Sequence, residues 1–252
     1  MAQLQRLVIE LAQQQDGQIF LTPSQQHYLN RVLRLKEGDR FIAMDGQGNW
    51  WLSELEASLT QAKIIQSLCV QTELHLAVTL IAAMPKGNGF DEVVYQATEL
   101  GVACIVPLKS DRTLLDPSPR KLERWRRITQ EAAEQSERQV VPTVLDPVDF
   151  TTSLQLPETV EAHRYICVAR GDAPHLLNCL QEKTLQLETG QSGSPQLSSV
   201  VIATGPEGGW SPKEIEQATA AGFQSVSLGR RILRAVTAPI VALSLVASVF
   251  DS

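Results

Sequence analysis

The chain has 252 residues, 43% of them hydrophobic and 20% charged, and its 22 Lys and Arg against 28 Asp and Glu leave a net charge of −6. That length exceeds one average domain and falls short of two, so a small domain joined to a larger one is expected, and the composition excludes both wholesale disorder and a disulfide-stapled miniature. A uniformly basic nucleic-acid binder is excluded as well, so any nucleic-acid partner has to be met by a local patch.

The opening segment MAQLQRLVIELAQQQDG lacks the cationic start, continuous apolar stretch and cleavage site of a secretory signal, and a cytoplasmic protein is expected. From there to about Leu74 the chain shows short apolar runs at Leu7–Leu11, Ile19–Leu21, Phe41–Met44, Trp50–Leu55 and Ile64–Val70, broken by turn residues. This spacing predicts a small β-barrel or sandwich. The stretch DGQGN at Asp45–Asn49 supplies the residues of a tight hairpin, and Leu29, Val32 and Leu33 mark one short helix between Ser24 and Leu35 whose other face carries His27, Arg31 and Arg34.

After Leu74 apolar strands alternate with amphipathic helices, the pattern of an α/β layer with a mostly parallel sheet. The boundary is placed at Gln71–His75, giving domains 1–72 and 73–252. Strands are expected at Leu76–Met84, Ala103–Leu108, Tyr165–Ala169, Val200–Thr204 and Ser225–Leu228, with helices marked by Phe90, Val93, Val94 and Ala97, by Leu122, Trp125, Ile128 and Ala132, and by Leu176, Leu177 and Leu180. Thr189–Ser199 reads as a solvated loop. Val236–Phe250 is interrupted by polar residues and Pro239 and is shorter than the roughly 20 apolar residues of a membrane helix, so it reads as a buried helix starting near Ala238. The four cysteines form no CxxC pair and are expected to be structural thiols.

Three clusters carry candidate chemistry. In VVIATGPEGGWSPKEIEQA a strand ends at Thr204, a turn holding Gly205, Gly208 and Gly209 follows, and Ser211, Pro212 and Glu214 have the spacing of a capping box at a helix start. Glycines allow backbone N–H groups to come close to a ligand. The alternative is a plain strand–turn–helix corner. The GxxxxGK[ST] phosphate loop is absent, and the GxG candidates lack the third glycine of a dinucleotide fingerprint. In SLGRRILRAVTA, Arg230, Arg231 and Arg234 follow a strand, where open α/β sheets bind ligands, unless they are merely solvated. In PRKLERWRRITQEAAEQSERQ, Arg120, Lys121, Arg124, Arg126, Arg127 and Arg138 give a helix one cationic side suited to RNA phosphates, against the alternative of a solvated face. Arg6, Arg31 and Arg34 add a second basic patch. No His spacing suits a metal, and no Ser lies in a nucleophile elbow.

Together these motifs resemble the RsmE family of bacterial methyltransferases: QRLVI around Arg6, HYLNRVLRLKEGD from His27, MPKGNGFDEVVYQATELGV from Met84, SDRT around Arg112, RWRRITQEAAEQSERQVVP from Arg124, TGPEGG from Thr204 and SLGRRILRAVTA from Ser227. The resemblance implies an N-terminal PUA-like β-barrel followed by a SPOUT α/β domain with a C-terminal trefoil knot, a rarity no periodicity reveals. It implies a homodimer that uses S-adenosyl-L-methionine to methylate N3 of a uridine in 16S ribosomal RNA of the small subunit, without metal or membrane.

Carried over residue by residue, the cofactor would meet Thr204, Gly205, Pro206, Glu207, Gly208, Gly209, Leu228, Gly229, Ile232, Leu233 and Arg234, with Leu80, Ala82 and Ala169 as walls. Arg112, Arg234 and Glu207 would be catalytic, and Arg6, His27, Arg31, Arg34, Arg124, Arg126 and Arg127 would bind RNA. The chain departs from the family pattern at Arg230, Ala235 and Val236, which stand where the family has Pro, Thr and Glu, and at Gly89 and Gln96, which stand where it often has cations. Two rivals follow: an RNA-binding or ribosome-assembly protein of the same fold with weakened catalysis, and an α/β enzyme holding another adenosine ligand on the same turn.

Overall fold

The computed structural model describes residues 4–113, 115–157, 162–188 and 199–251. The chain divides into two compact units, Met1–Glu73 with Ala133–Val141, and Leu74–Ala132 with Pro142–Ser252. A division of the sequence at 72/73 has no place for this return of 133–141 to the first unit. Most of the expected 189–199 loop lies outside the described residues.

In the first unit, strands β1 (Arg6–Val8), β2 (Gln14–Gln15), β3 (Gln18–Phe20), β4 (Arg40–Met44), β5 (Trp50–Leu55) and β6 (Gln61–Leu68) pair in the order β1-β4-β5-β6-β3-β2. All neighbours are antiparallel except β1 with β4. Apolar side chains that alternate along these strands, among them Leu7, Ile19, Phe41, Ala43, Leu55 and Ala62, meet over Leu29 in one core. The β4–β5 hairpin turns on Asp45, whose Oδ1 accepts the N–H of Gln47 at 2.8 Å and of Asn49 at 3.0 Å.

Helix α1 (Pro23–His27) starts at Thr22, which exchanges capping hydrogen bonds with Gln25, and runs into a π-helical turn over Tyr28–Val32. The turn ends at Arg34, in the left-handed region at φ +58°, with the Leu35 N–H returned to the Leu29 carbonyl. Segment 133–141 is fastened to this unit by carboxylates. Glu134 accepts the Val8 N–H at 2.7 Å, and Glu73 pairs with the buried Arg138 and accepts the N–H groups of Gln139 and Val140.

The second unit contains β7 (Ala77–Ala83), α2 (Gly89–Glu99), β8 (Cys104–Lys109), most of α3 (Pro119–Ser136), β9 (Thr143–Val144), β10 (Val148–Asp149), α4 (Phe150–Ser153), β11 (His163–Cys167), α5 (Leu176–Glu188), β12 (Ser199–Thr204), α6 (Pro212–Ala220), β13 (Gln224–Val226) and α7 (Thr237–Phe250). The sheet is parallel in the order β10-β8-β7-β12-β11-β13, with β9 also on β8. Both faces are covered, which is why its strands read as continuous apolar runs rather than as alternation. Val78, Leu80 and Ala82 of β7 enter one core with α2, α5 and α7, whereas Ile81 and Ala83 enter the other with α4 and α6.

β11 and β13 stop two residues before the sequence reading ends them. Val168, Ala169 and Leu228 are thereby released into loops at the carboxyl edge of the sheet.

Candidate functional site

A cavity of about 440 Å³ opens at the carboxyl ends of β11, β12 and β13, the edge where parallel α/β sheets place ligands. Three loops build it: 168–170 after β11, 205–210 after β12 and 228–235 after β13. Arg112 reaches it from the loop after β8.

The glycine turn is shaped by its neighbours. The Gly209 N–H bonds the Pro206 carbonyl at 2.8 Å, and Gly209 takes φ +68°, which favours glycine. Gly205 and Gly208 serve close approach, but of protein side chains: a Cβ on Gly205 would lie 3.0 Å from the Trp210 ring, and one on Gly208 would lie 3.0 Å from Arg112 Cδ. Trp210 packs against Phe150 with ring centroids 5.3 Å apart, and its Nε1–H donates to the Cys167 carbonyl at 2.9 Å, binding the glycine turn to the end of β11. Burial pushes the Cys167 thiol up to about 12, so it lines the cavity as a neutral, weakly polar wall.

Carboxylates hold the neighbouring loops onto this turn. Ser211 caps α6 in a box with Glu214, as the spacing predicts. Glu214 is 1% exposed, and besides the Ser211 N–H at 2.7 Å it accepts the Asp111 N–H at 3.0 Å. The Ser211 hydroxyl donates to Asp111 Oδ2 at 2.7 Å. Asp111 precedes Arg112, so the clasp sets the arginine beside the turn, where Nη1 donates to the Gly208 carbonyl at 2.5 Å. Glu207 Oε1 accepts the Lys86 N–H at 3.1 Å, tying in the loop after β7.

Of the residues expected at the cofactor, Ala169, Gly205, Pro206, Glu207, Gly208, Gly209, Leu228, Gly229, Ile232 and Leu233 line the cavity, as does the catalytic candidate Arg112. Leu80 and Ala82 do not: they lie in mid-strand with side chains turned into the helix-covered core. Thr204 is buried at the end of β12 opposite Ala82. Arg234 is exposed, and its carbonyl caps α7 by accepting the N–H groups of Thr237 and Ala238 at 2.9 Å each. Cys167, Val168, Arg170, Trp210, Ile215, Ala235 and Ala238 complete the wall without having been expected there, and Arg231, one of the three strand-end cations, joins them. Trp210 alone carried a signal, as an aromatic next to the glycine turn.

The expected RNA contacts fall into three groups. His27, Arg31 and Arg34 are exposed on α1 and the turn after it. Arg6 is turned inward, 9% exposed, paired with Glu137 at 2.5 Å and stacked 5.2 Å above Trp50. On α3, Arg124 pairs with Asp91 at 2.9 Å, Arg126 with Asp146 at 2.9 Å, and Arg127 with Glu131 at 3.4 Å. Among the described residues no cluster suits a metal and no helix is long and apolar enough to cross a membrane.

A small curled β unit joined to a parallel-sheet unit with a glycine-lined strand-end cavity is the architecture of an RNA-modifying enzyme class, and residues 72–247 match a family described as RNA methyltransferase domain while residues 21–65 match its PUA domain. The chain is 45% identical to the ribosomal RNA small subunit methyltransferase E of Synechocystis sp. over 98% of its length and 78% of that protein's, and 32% identical to that of Bacillus subtilis over 96% and 95%. It superposes on the crystal structure of the enzyme of this name from Neisseria gonorrhoeae bound to S-adenosyl methionine with a TM-score of 0.82, at 30% identity and 98% coverage of each chain. The chain belongs to the ribosomal RNA small subunit methyltransferase E family, with the PUA-like and SPOUT α/β architecture that the motifs imply.

Proposed function

We propose that the chain transfers the methyl group of S-adenosyl-L-methionine to N3 of one uridine in the 16S ribosomal RNA of the small subunit, in the cytoplasm and as a homodimer. The observation that carries the reading is the cavity itself: backbone from the glycine turn and the Leu228–Gly229 turn, apolar Ile215, Ile232 and Leu233, and one anchored guanidinium. Its volume and mixed lining suit an adenosine ligand. Cofactor binding by the Neisseria gonorrhoeae relative supports the choice.

The bound cofactor supplies an electrophilic methyl group. The chain's own work is alignment and electrostatics. Uracil N3–H is ionised only well above neutral pH, so the site has to favour the N3 anion, and a guanidinium beside it does so. Arg112 fills this role best: it lines the cavity, and the Asp111–Ser211–Glu214 clasp and the Gly208 carbonyl fix it there. Arg234 stands second, just outside the wall. Glu207 is the candidate proton acceptor, since Oε1 is engaged by Lys86 and Oε2 makes no hydrogen bond among the described residues. His27, Arg31 and Arg34 would meet RNA from the PUA-like unit.

The dimer is supported by α7, an apolar helix whose half-exposed Ile240 and Val241 stay outside the core cluster. The trefoil-knotted path belongs to the same reading and is supported by the way the loops after β12 and β13 share one cavity.

The test is methyl transfer from labelled cofactor to small subunits lacking the modification, followed by mass analysis of the nucleosides. N3-methyluridine is expected from the wild type, with a loss of at least tenfold in Arg112→Ala while S-adenosylhomocysteine still raises the melting temperature. Another methylated nucleoside, or no transfer despite cofactor binding, overturns the reading.

A further inference from the structure

We infer that the RNA backbone is held at the mouth of the cavity by the guanidinium groups of Arg170 and Arg231 rather than by the cationic side of α3; the inference rests on the function proposed above. On α3 each of Arg124, Arg126 and Arg127 has a carboxylate within 3.4 Å, and Lys121 donates to the Gly87 carbonyl at 2.6 Å. Phosphate would have to compete with Asp91, Asp146 and Glu131 for Arg124, Arg126 and Arg127, and of the cations on that face only the exposed Arg120 has no acceptor among the described residues.

The cavity differs. Its lining holds Arg112, Arg170 and Arg231 against the single carboxylate of Glu207, an excess of positive charge in a chain of net −6. Arg112 is engaged with Gly208. Arg170 and Arg231 are both exposed, and their guanidinium groups have no acceptor among the described residues. Each is a planar fork of donors suited to phosphate oxygens.

The two come from loops after β11 and β13, strands that pair directly. Those loops are stitched together: Val168 N–H to the Val226 carbonyl at 2.8 Å, Ser227 N–H to the Pro174 carbonyl at 2.8 Å, and Leu176 N–H to the Ser227 carbonyl at 3.0 Å. The backbone that carries both arginines is therefore preorganised, and the ordering cost left for binding is that of the two side chains. A nucleotide entering the cavity has phosphates on both sides of its ribose, and the lining offers two cations to meet them.

The experiment measures affinity of the full chain for a small-subunit RNA across 50–200 mM salt, for the wild type, Arg170→Ala, Arg231→Ala, their double variant, and an Arg126→Ala/Arg127→Ala control. Removing either guanidinium from its phosphate is expected to flatten the log–log salt slope by about 0.7–0.9, an effect the α3 control does not share. Arg170→Lys and Arg231→Lys keep the charge and should keep most of the slope, which separates contact from misfolding.

A wild type that methylates RNA while the double variant keeps the full slope overturns the inference and leaves the function standing. So does a slope reduced only in the α3 control, or a variant that loses cofactor affinity instead of RNA affinity. A wild type that binds neither cofactor nor RNA overturns both.

Discussion

Gly89 and Val236 are far apart in sequence and touch in the structure. A Cβ built on Gly89 would lie 2.8 Å from Val236 Cγ1 and 3.2 Å from Pro85 Cγ. Gly89 is the first residue of α2 and does not have a positive φ, so alanine is conformationally acceptable there, and helix propensity alone would make Gly89→Ala stabilising by at most about 1 kcal/mol. Overpacking opposes this by about 1–3 kcal/mol, because Val236 is held by the first turn of α7 and cannot simply rotate away.

The expected result is therefore a net loss of stability. In a Val236→Ala background, which itself costs about 1 kcal/mol for the methyl groups removed, the nearer clash is gone and Gly89→Ala should become neutral or mildly stabilising, with only Pro85 left to adjust. Urea unfolding of the four chains of this cycle measures the coupling, expected at about 1–3 kcal/mol with unchanged m-values. An equal effect of Gly89→Ala in both backgrounds, or stabilisation in the wild type, would refute the reasoning.

Glu214→Ala should lower the melting temperature by about 2–4 °C for each kcal/mol of stability removed, because it takes the acceptor from the half-buried N–H bonds of Asp111 and Ser211 at a loss of about 0.5–1.5 kcal/mol apiece. It should also lower the turnover number more than it raises KM for cofactor, since Arg112 is displaced. Asp45 is held below its ordinary value of 3.8: burial raises it, but the hydrogen bonds from the Asn49 amide and from the N–H groups of Gln47 and Asn49 outweigh burial. Its stabilisation is then present above the unfolded value and lost as pH falls through the folded one, so the stability gap between wild type and Asp45→Asn should be flat above about pH 5 and shrink below 4. Of the four thiols, Cys69 is exposed and the others are buried. A thiol reagent at neutral pH should therefore modify one equivalent in the native chain and four after unfolding, and rapid modification of Cys167 would contradict its burial.

Wherever a feature depends on neighbours in sequence, it was legible. The strand Trp50–Leu55, the Asp45 hairpin and the Ser211–Glu214 box follow from alternation and capping chemistry confined to a few residues. Features made by distant partners were not. Arg138 reads as one more cation on a basic helix, but it is 4% exposed and paired with Glu73, and segment 133–141 leaves the α/β unit for the β unit through that pair and Glu134. Arg6 reads as part of a basic patch and is instead occupied by Glu137 and Trp50. At the cavity, the glycine turn announced itself, whereas Arg170, Ile215 and Ala238 come from loop and helix positions with no local signature. All three glycines of the turn line the cavity, and at two of them the structure gives a reason the sequence does not: Gly205 and Gly208 make room for Trp210 and Arg112.

The same contact between α2 and α7 bears on the rival reading of a chain with weakened catalysis, which turned on Val236. Ala235 and Ala238 line the cavity and Val236 does not; its side chain fills the notch above Gly89. Two departures from the family pattern, one on each side of this contact, thus amount to one apolar joint. A residue that packs away from the cofactor wall can affect chemistry only by moving its neighbours, and here the joint holds the start of α7 where Thr237 and Ala238 bond the Arg234 carbonyl. Replacing Val236 by Glu would put a carboxylate into the apolar notch formed with Gly89 and Pro85, so the glutamate variant should be less stable than the valine form and no more active. Greater activity in Val236→Glu would show instead that the position acts on the RNA or the cofactor directly.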